Sequence, residues 1–304
     1  MKLLHGVTTA MLTPFDAEGR IDCEKTEALA EFLIAKGVHG LFPLGTTGEM
    51  FKLSVAERKA IAGTVVKQAR QRVPVYIHAG AMTQEDTLEL AKHACEIGAD
   101  GIAVVTPAFM GVNDAEVEQY YVTIASSLPE DFPIYLYNIP QRTGNDIKPE
   151  VAARIAARCK NVIGIKYSLA DFLRTYEYMA INNGSFSVLQ GADRLFLPVL
   201  GMGCVGTISS VSSVFPELLV GIYDAFIRQD LAKAKELQAI TNRYSEIMKS
   251  GSNNMAYFKE TLKLRGIDIG ILRVPQLGLT RQEASSLREQ LEAYNRVTGL
   301  DFYV

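Results

Sequence analysis

Eight short runs rich in apolar and β-branched residues recur up to residue 210, and a segment with helical spacing follows each of them. They are GVTTAML (6–12), GLFPLG (40–45), PVYIHAG (74–80), GIAVVTP (101–107), PIYLYNIP (133–140), VIGIKYS (162–168), FSVLQG (186–191) and CVGTISS (204–210). The runs are nearly continuous in apolar residues, which is the pattern of parallel strands buried on both faces. Helix starts carry capping chemistry: Ser54 with Glu57, Thr83 with Asp86, and Asn113 ahead of 114–128. Glycines in AKGVHGLFP and CEIGADGIAVV suit the left-handed turn that ends a helix. Eight such βα units ahead of residue 224 favour an α/β fold closed into a (β/α)8 TIM barrel over an open sheet. Beyond that point the strand runs stop, and helical patterns over 230–249, 253–265 and 280–297 predict a C-terminal helical extension. The expected organisation is a barrel over 1–223 carrying the active site and an extension over 224–304 packed on it, because no Gly/Ser linker separates them.

Composition narrows the partners. No apolar stretch of the 304 residues approaches the roughly 18 that a membrane helix needs. The net charge is −3, without a basic block or a Lys/Arg stripe, so neither a membrane nor a nucleic acid is expected. The opening MKLLHGVTTAML lacks a small-residue cleavage site and runs straight into a strand pattern, so the expected location is cytoplasmic. Cys23, Cys95, Cys159 and Cys204 are widely spaced, the pattern of reduced structural thiols.

In such a barrel the chemistry lies at the C-terminal ends of the strands. Those ends supply Thr8 and Thr9, the loop Gly45-Thr46-Thr47-Gly48-Glu49, Thr106, then Tyr135, Tyr137 and Asn138 with Arg142 beyond. Lys166, Gly191, and Thr207, Ile208 and Ser209 complete the set. His5, His39, His78 and His93 show no metal-ligand spacing, and there is no nucleophile elbow, P-loop or dinucleotide fingerprint. A divalent-metal aldolase or hydrolase is thus disfavoured, and no metal or organic cofactor is expected if Lys166 itself supplies the electron sink. Lys166 closes the apolar run VIGI, and an ammonium is rarely buried without a partner. Either it caps the strand and reaches solvent, or it serves as an amine. Desolvation disfavours an ammonium, and a free amine attacks a ketone carbon to give an imine, with a phenol such as Tyr137 relaying protons. Gly45 and Gly48 allow close approach of an anion beside the Thr46 and Thr47 hydroxyls, although a structural turn has the same composition. Glu49 either braces this loop through backbone N–H groups or caps the next segment.

The motifs GTTGE (45–49), YNIPQRTG (137–144), GIK (164–166) and Gly191-Ala192-Asp193 ahead of GTIS (206–209) occur in that order. With them the chain resembles, over essentially its whole length, the dihydrodipicolinate synthase / N-acetylneuraminate lyase family of pyruvate-handling class I aldolases. The resemblance implies that Lys166 forms a Schiff base with pyruvate and that Tyr137 relays protons. It implies further that Thr46 and Thr47 bind the pyruvate carboxylate and help orient Tyr137, with Gly45 in the same substrate loop, and that Gly191 and Ile208 contribute backbone groups and shape around the lysine. Arg142 matches the arginine with which synthases hold the carboxylate of an amino-aldehyde; the alternative is a loop arginine paired with a local acid. The segment TPAFMG departs from the pattern. Typical synthases carry two tyrosines there, the second donated across a dimer interface, where this chain has Ala108 and Phe109. Phe109 keeps a ring for an interface near the site but has no proton to pass. Tyr167 also differs from the acidic or small residue common after the lysine. The implied partners are a small-molecule 2-keto acid and an aldehyde, and a homo-oligomer, tetramer or dimer, is implied too. The expected activity is a pyruvate aldolase acting on a 2-keto-3-deoxy acid. The alternatives are a synthase condensing pyruvate with aspartate semialdehyde and, from another class, a non-catalytic 2-keto acid sensor.

Overall fold

The computed structural model describes residues 2–248, 254–300 and 302. Eight parallel strands, β1 (Gly6–Ala10), β2 (Gly40–Phe42), β3 (Tyr76–His78), β4 (Gly101–Val105), β5 (Ile134–Asn138), β6 (Val162–Tyr167), β7 (Ser187–Gln190) and β8 (Gly206–Ser209), form one sheet. Its order is β2-β1-β8-β7-β6-β5-β4-β3, and a parallel bridge between Leu41 and Val75 joins β2 to β3 to bring the barrel round. Each strand lies inside its predicted run. The residues left over, such as Pro43 to Gly45 after β2, have left the ladder to form loops at the C-terminal rim.

Helices α1 (Cys23–Ala35), α2 (Val55–Ala69), α3 (Gln84–Glu96), α4 (Asp114–Ser126), α5 (Pro140–Thr143), α6 (Pro149–Arg158), α7 (Phe172–Met179), α8 (Phe196–Met202) and α9 (Pro216–Ile227) surround the sheet. Their starts use the expected side chains: Ser54 with Glu57 and Asn113 with Glu116 form capping boxes, and Thr83 accepts from the Asp86 N–H. Strand alternation separates two cores. Leu4, Ala10, Phe42, Tyr76, Ala103, Tyr135, Leu189 and Ile208 fill the barrel, whereas Ile165, Tyr167 and their counterparts pack outward against the helices. On β6, Gly164 and Lys166 thus share the inward face. A β-carbon on Gly164 would lie 2.6 Å from a Tyr135 ring carbon, so glycine leaves room for that ring beneath the lysine.

The extension comprises α10 (Leu231–Met248), α11 (Asn254–Leu264) and α12 (Arg281–Thr298). The expected helix limits 249 and 253 lie outside the described residues, as do the chain-end positions 1, 301, 303 and 304. Residue 224, the expected start of the extension, falls inside α9, the helix that follows β8. Helix α10 packs along α9, and the rings of Phe215, Tyr244 and Phe302 stack at that junction with centroids 4.5–5.7 Å apart. Arg265 closes it with a 2.6 Å ion pair to Glu217. Among the described residues no helix is long and apolar enough to cross a membrane.

Candidate active site

The loop after β2 folds back on itself. Leu44 and Glu49 take left-handed backbone angles (φ 66° and 59°), each costing about 1–3 kcal/mol in a residue with a side chain. Their strain is held by three hydrogen bonds: Glu49 N–H to the Thr46 carbonyl (3.2 Å), Met50 N–H to that of Gly45 (3.3 Å), and the Thr13 hydroxyl to that of Gly48 (2.7 Å). A β-carbon on Gly48 would sit 2.9 Å from the Leu44 nitrogen and 3.1 Å from the Met11 carbonyl. Gly48 therefore lets the loop pack on its own backbone, not the approach of an anion that composition suggested. Gly45 backs onto the Phe42 ring and does not line the cavity, which Thr46 and Thr47 do. The buried Glu49 carboxylate pairs with the ammonium groups of Lys52 (2.7 Å) and Lys259 (3.3 Å), in place of either the backbone N–H bracing or the side-chain cap that its position allowed.

Tyr137 on β5 is the register partner of Lys166 on β6. Lys166 is 4% exposed, and its Nζ lies 4.1 Å from the centroid of the Tyr137 ring and 4.7 Å from that of Phe42. Two ring faces favour a cation there by about 0.5–2 kcal/mol, and among the described residues no oxygen accepts a hydrogen bond from it. The Tyr137 hydroxyl meets the Thr46 hydroxyl at 3.2 Å, so a phenol and an alcohol stand in contact beside the amine. His78 packs edge-on against Tyr137, 5.8 Å between centroids. Burial, then the charges of Arg58 and Lys166, pushes its pKa well below the usual range, so it is neutral. The Arg58 guanidinium, itself pushed down to about 10 by burial, donates to the carbonyls of His78 (2.7 Å) and Gly80 (2.9 Å) and pins the end of β3.

These groups open onto a cavity of about 740 Å³. Ile208 and Gly191 line it near the lysine. The Gly191 N–H is committed to the Tyr167 carbonyl (2.7 Å), so this glycine contributes space: a β-carbon would lie 2.0 Å from the Ser168 hydroxyl. Arg142 lines the cavity from α5 with no ion-pair partner among the described residues. Phe109 does not line it. Its backbone is left-handed (φ 74°) and its ring is 88% exposed.

Several strand-end residues point elsewhere. Thr9 bonds to Ser212 (2.9 Å), Thr106 to Thr143 (2.8 Å), the Asn138 amide to Asp146 (2.8 Å) and Thr207 to the Gln190 carbonyl (2.7 Å). Tyr135 lies one inward layer lower, bonded to Ser187 (2.9 Å), with its hydroxyl pushed up to about 12 by burial. Conversely, Ser168 and Ser210 reach the cavity although they were not singled out. Each stands two residues past an inward-facing residue, Lys166 or Ile208, so period-two alternation was the available signal. Arg194, Asn242 and Met255 also line it, from helical segments whose docking no local pattern announces.

The same frame recurs among known proteins. The model of the dihydrodipicolinate synthetase family matches residues 3–294. The chain belongs to this family. Its relatives include a DapA-like lyase of Halobacterium salinarum, 36% identical over 95% of this chain and 93% of that one. A 4-hydroxy-tetrahydrodipicolinate synthase of Bacillus subtilis is 34% identical over 92% and 96%. Among solved structures, the E. coli K12 prophage protein YagE, in complex with pyruvate, superposes with a TM-score of 0.90 at 31% identity, covering 96% of this chain and 99% of that one. A catalytic-lysine mutant of the Ruminococcus gnavus sialic acid aldolase gives 0.93 at 26%, over 98% and 99%. Members of the dihydrodipicolinate synthetase family are pyruvate-dependent lyases of the class I aldolase type, and this chain is one of them.

Proposed function

We propose that the protein joins pyruvate to an aldehyde, or releases it from the product, through an imine on Lys166, and that its natural substrate is a 2-keto-3-deoxy acid. The observation that carries this reading is a buried amine without an acceptor, set against the Tyr137 ring with the Tyr137–Thr46 hydroxyl pair alongside. As free base, Nζ adds to the C2 ketone of the substrate. Proton transfers through Tyr137 and Thr46 expel water and leave a protonated imine, which draws electrons from the C3–C4 bond. In cleavage that bond breaks, C4 leaves as an aldehyde once the C4 hydroxyl gives up its proton, and the enamine is reprotonated at C3. Hydrolysis then frees pyruvate and the amine. Thr46 and Thr47 carry the donors for the 2-keto acid carboxylate, and Lys166 itself is the electron sink. The pyruvate complex of YagE and the catalytic lysine of the sialic acid aldolase support this assignment.

For the far end of the substrate, Arg142, Arg194, Asn242 and Gln141 line the outer wall, a set suited to an acidic, polyhydroxylated chain. Phe109, which has no phenol, favours this over condensation with aspartate semialdehyde. Arg142 favours the second reading, since its fork fits the semialdehyde carboxylate equally well. A panel of 2-keto-3-deoxy sugar acids, assayed for pyruvate release beside pyruvate plus aspartate semialdehyde, decides between them. Faster cleavage of one of the acids is expected, and efficient semialdehyde condensation reverses the choice. Binding of 2-keto acids without turnover of any of these substrates supports the sensor reading. The exposed Phe109 ring supports a homo-oligomer that covers it, which light scattering at micromolar concentration tests; a strict monomer counts against it.

A further inference from the structure

Lys259, on α11 of the extension, is 5% exposed and does not line the cavity. Its ammonium donates to the Thr13 carbonyl (2.8 Å) and the Ile271 carbonyl (2.6 Å) and forms an ion pair with a carboxylate oxygen of Glu49 at 3.3 Å. The Phe15 ring lies beneath it at 4.6 Å. Each acceptor belongs to a different segment. Thr13 follows β1 and also holds the Gly48 carbonyl through its hydroxyl, Glu49 ends the loop that carries Thr46 and Thr47, and Ile271 lies between α11 and α12. One buried charge therefore ties the substrate loop, the loop after β1 and the extension together.

We infer that Lys259 is a positioning residue for the active site, holding the Thr46–Thr47 loop in place from the C-terminal extension through Glu49 and Thr13. A buried ammonium is a poor source of net stability, because desolvation offsets much of its attraction to a partner. What it provides is a geometry, and here that geometry fixes the strained turn between Leu44 and Glu49. The charged groups facing it are Glu49 and Lys52 from the loop and Arg273 from the segment after α11, Arg273 being paired with Glu57 at 2.6 Å. Burial pushes the Lys259 ammonium down to about 8. Glu49 opposes that shift, and Lys52 and Arg273 reinforce it. The tie is thus charged below that pH and loses its ion pair above it. The catalytic consequence rests on the imine reading; the mechanical one does not.

The test compares Lys259→Met with wild type by hydrogen exchange of the amides of residues 45–50 and by steady-state kinetics. In the variant the loop amides should exchange about tenfold faster or more, the scale of one lost charge-assisted bond, with the strands unchanged. The KM for pyruvate, or for the 2-keto acid turned over, should rise by a similar factor. The wild-type fall in kcat/KM as pH passes about 8 should be absent from the variant. Loop exchange at the wild-type rate overturns the inference whatever the kinetics do, and faster exchange with unchanged KM and pH profile overturns its catalytic half. A wild type that turns over no 2-keto acid refutes the imine reading instead, and the exchange data still decide this one. Should the variant not fold, wild-type exchange on either side of that midpoint, corrected for the intrinsic rate, replaces it: loosening confined to 45–50 on the alkaline side supports the tie, and its absence refutes it.

Discussion

Among the described residues Lys166 and Lys259 are the two lysines buried to within 4–5% exposure, and the molecule treats them in opposite ways. Lys259 donates to two backbone carbonyls and stands in an ion pair with Glu49, whereas Lys166 faces two aromatic rings and an open cavity. A depressed pKa is the usual mark of a nucleophilic lysine, and Lys259 carries one. Two carbonyls and an ion pair already engage its ammonium, and it does not line the cavity that Lys166 faces, which argues that it is a tie. Reactivity requires an amine with somewhere to go. The contrast assigns chemistry to one buried lysine and geometry to the other, and it can be broken at several points.

The largest effect belongs to Lys166→Ala. It removes the proposed nucleophile and leaves a small void beside existing open space, so turnover should fall by roughly 10⁴-fold or more while the melting temperature stays close to wild type. Substantial activity in that variant would erase the distinction between the two lysines. Tyr137→Phe keeps the ring face under Lys166 but removes the hydroxyl bonded to Thr46. It should cost about 10²–10⁴-fold in kcat with little change in stability. A smaller loss would mean that the proton path runs elsewhere.

Arg142→Ala sharpens the comparison differently, because Arg142 is a cation on the cavity wall without an ion-pair partner among the described residues. Loss of a charge-assisted bond of about 1.5–3 kcal/mol should raise KM for the acidic substrate by about 10- to 100-fold, leaving imine formation with pyruvate intact.

The smallest effect is on stability and concerns Lys259. Its folded-state pKa, about 8, lies below the ordinary lysine value of 10.5, so between those values the unfolded chain binds more protons. Stability from this group therefore rises with pH across that window, the reverse of a lysine whose pKa is raised by a partner. Measured by denaturant titration, wild type should gain about 2 kcal/mol over Lys259→Met between pH about 7.5 and about 9.5. A difference that stays constant with pH would show that Lys259 is not the desolvated ammonium described.

The fold was legible because its signals are local. Apolar runs, capping pairs such as Ser54–Glu57 and glycines after helices each report on a few neighbouring residues. The placing of Lys166 and Tyr137 at the barrel rim was legible for the same reason, while the roles proposed for them and for Thr46 and Thr47 came from the resemblance of whole motifs. Thr9, Thr106 and Asn138 show the limit of that rule: they end strands too, but their side chains bond within the scaffold. Lys259 was not legible at all. It sits between Phe258 and Leu262 on a helix whose other lysine, Lys263, is exposed, and its burial follows from how α11 docks beneath a loop more than 200 residues earlier. Arg194, Asn242 and Met255 reach the cavity by the same long-range route.

Whether Lys166, and not Lys259, is the nucleophile is decided by trapping. The protein is incubated with pyruvate, reduced with borohydride, digested and mapped by mass spectrometry. A stable adduct is expected on the peptide bearing Lys166, with Lys259 unmodified. An adduct on Lys259, or none on Lys166 at saturating pyruvate, contradicts it.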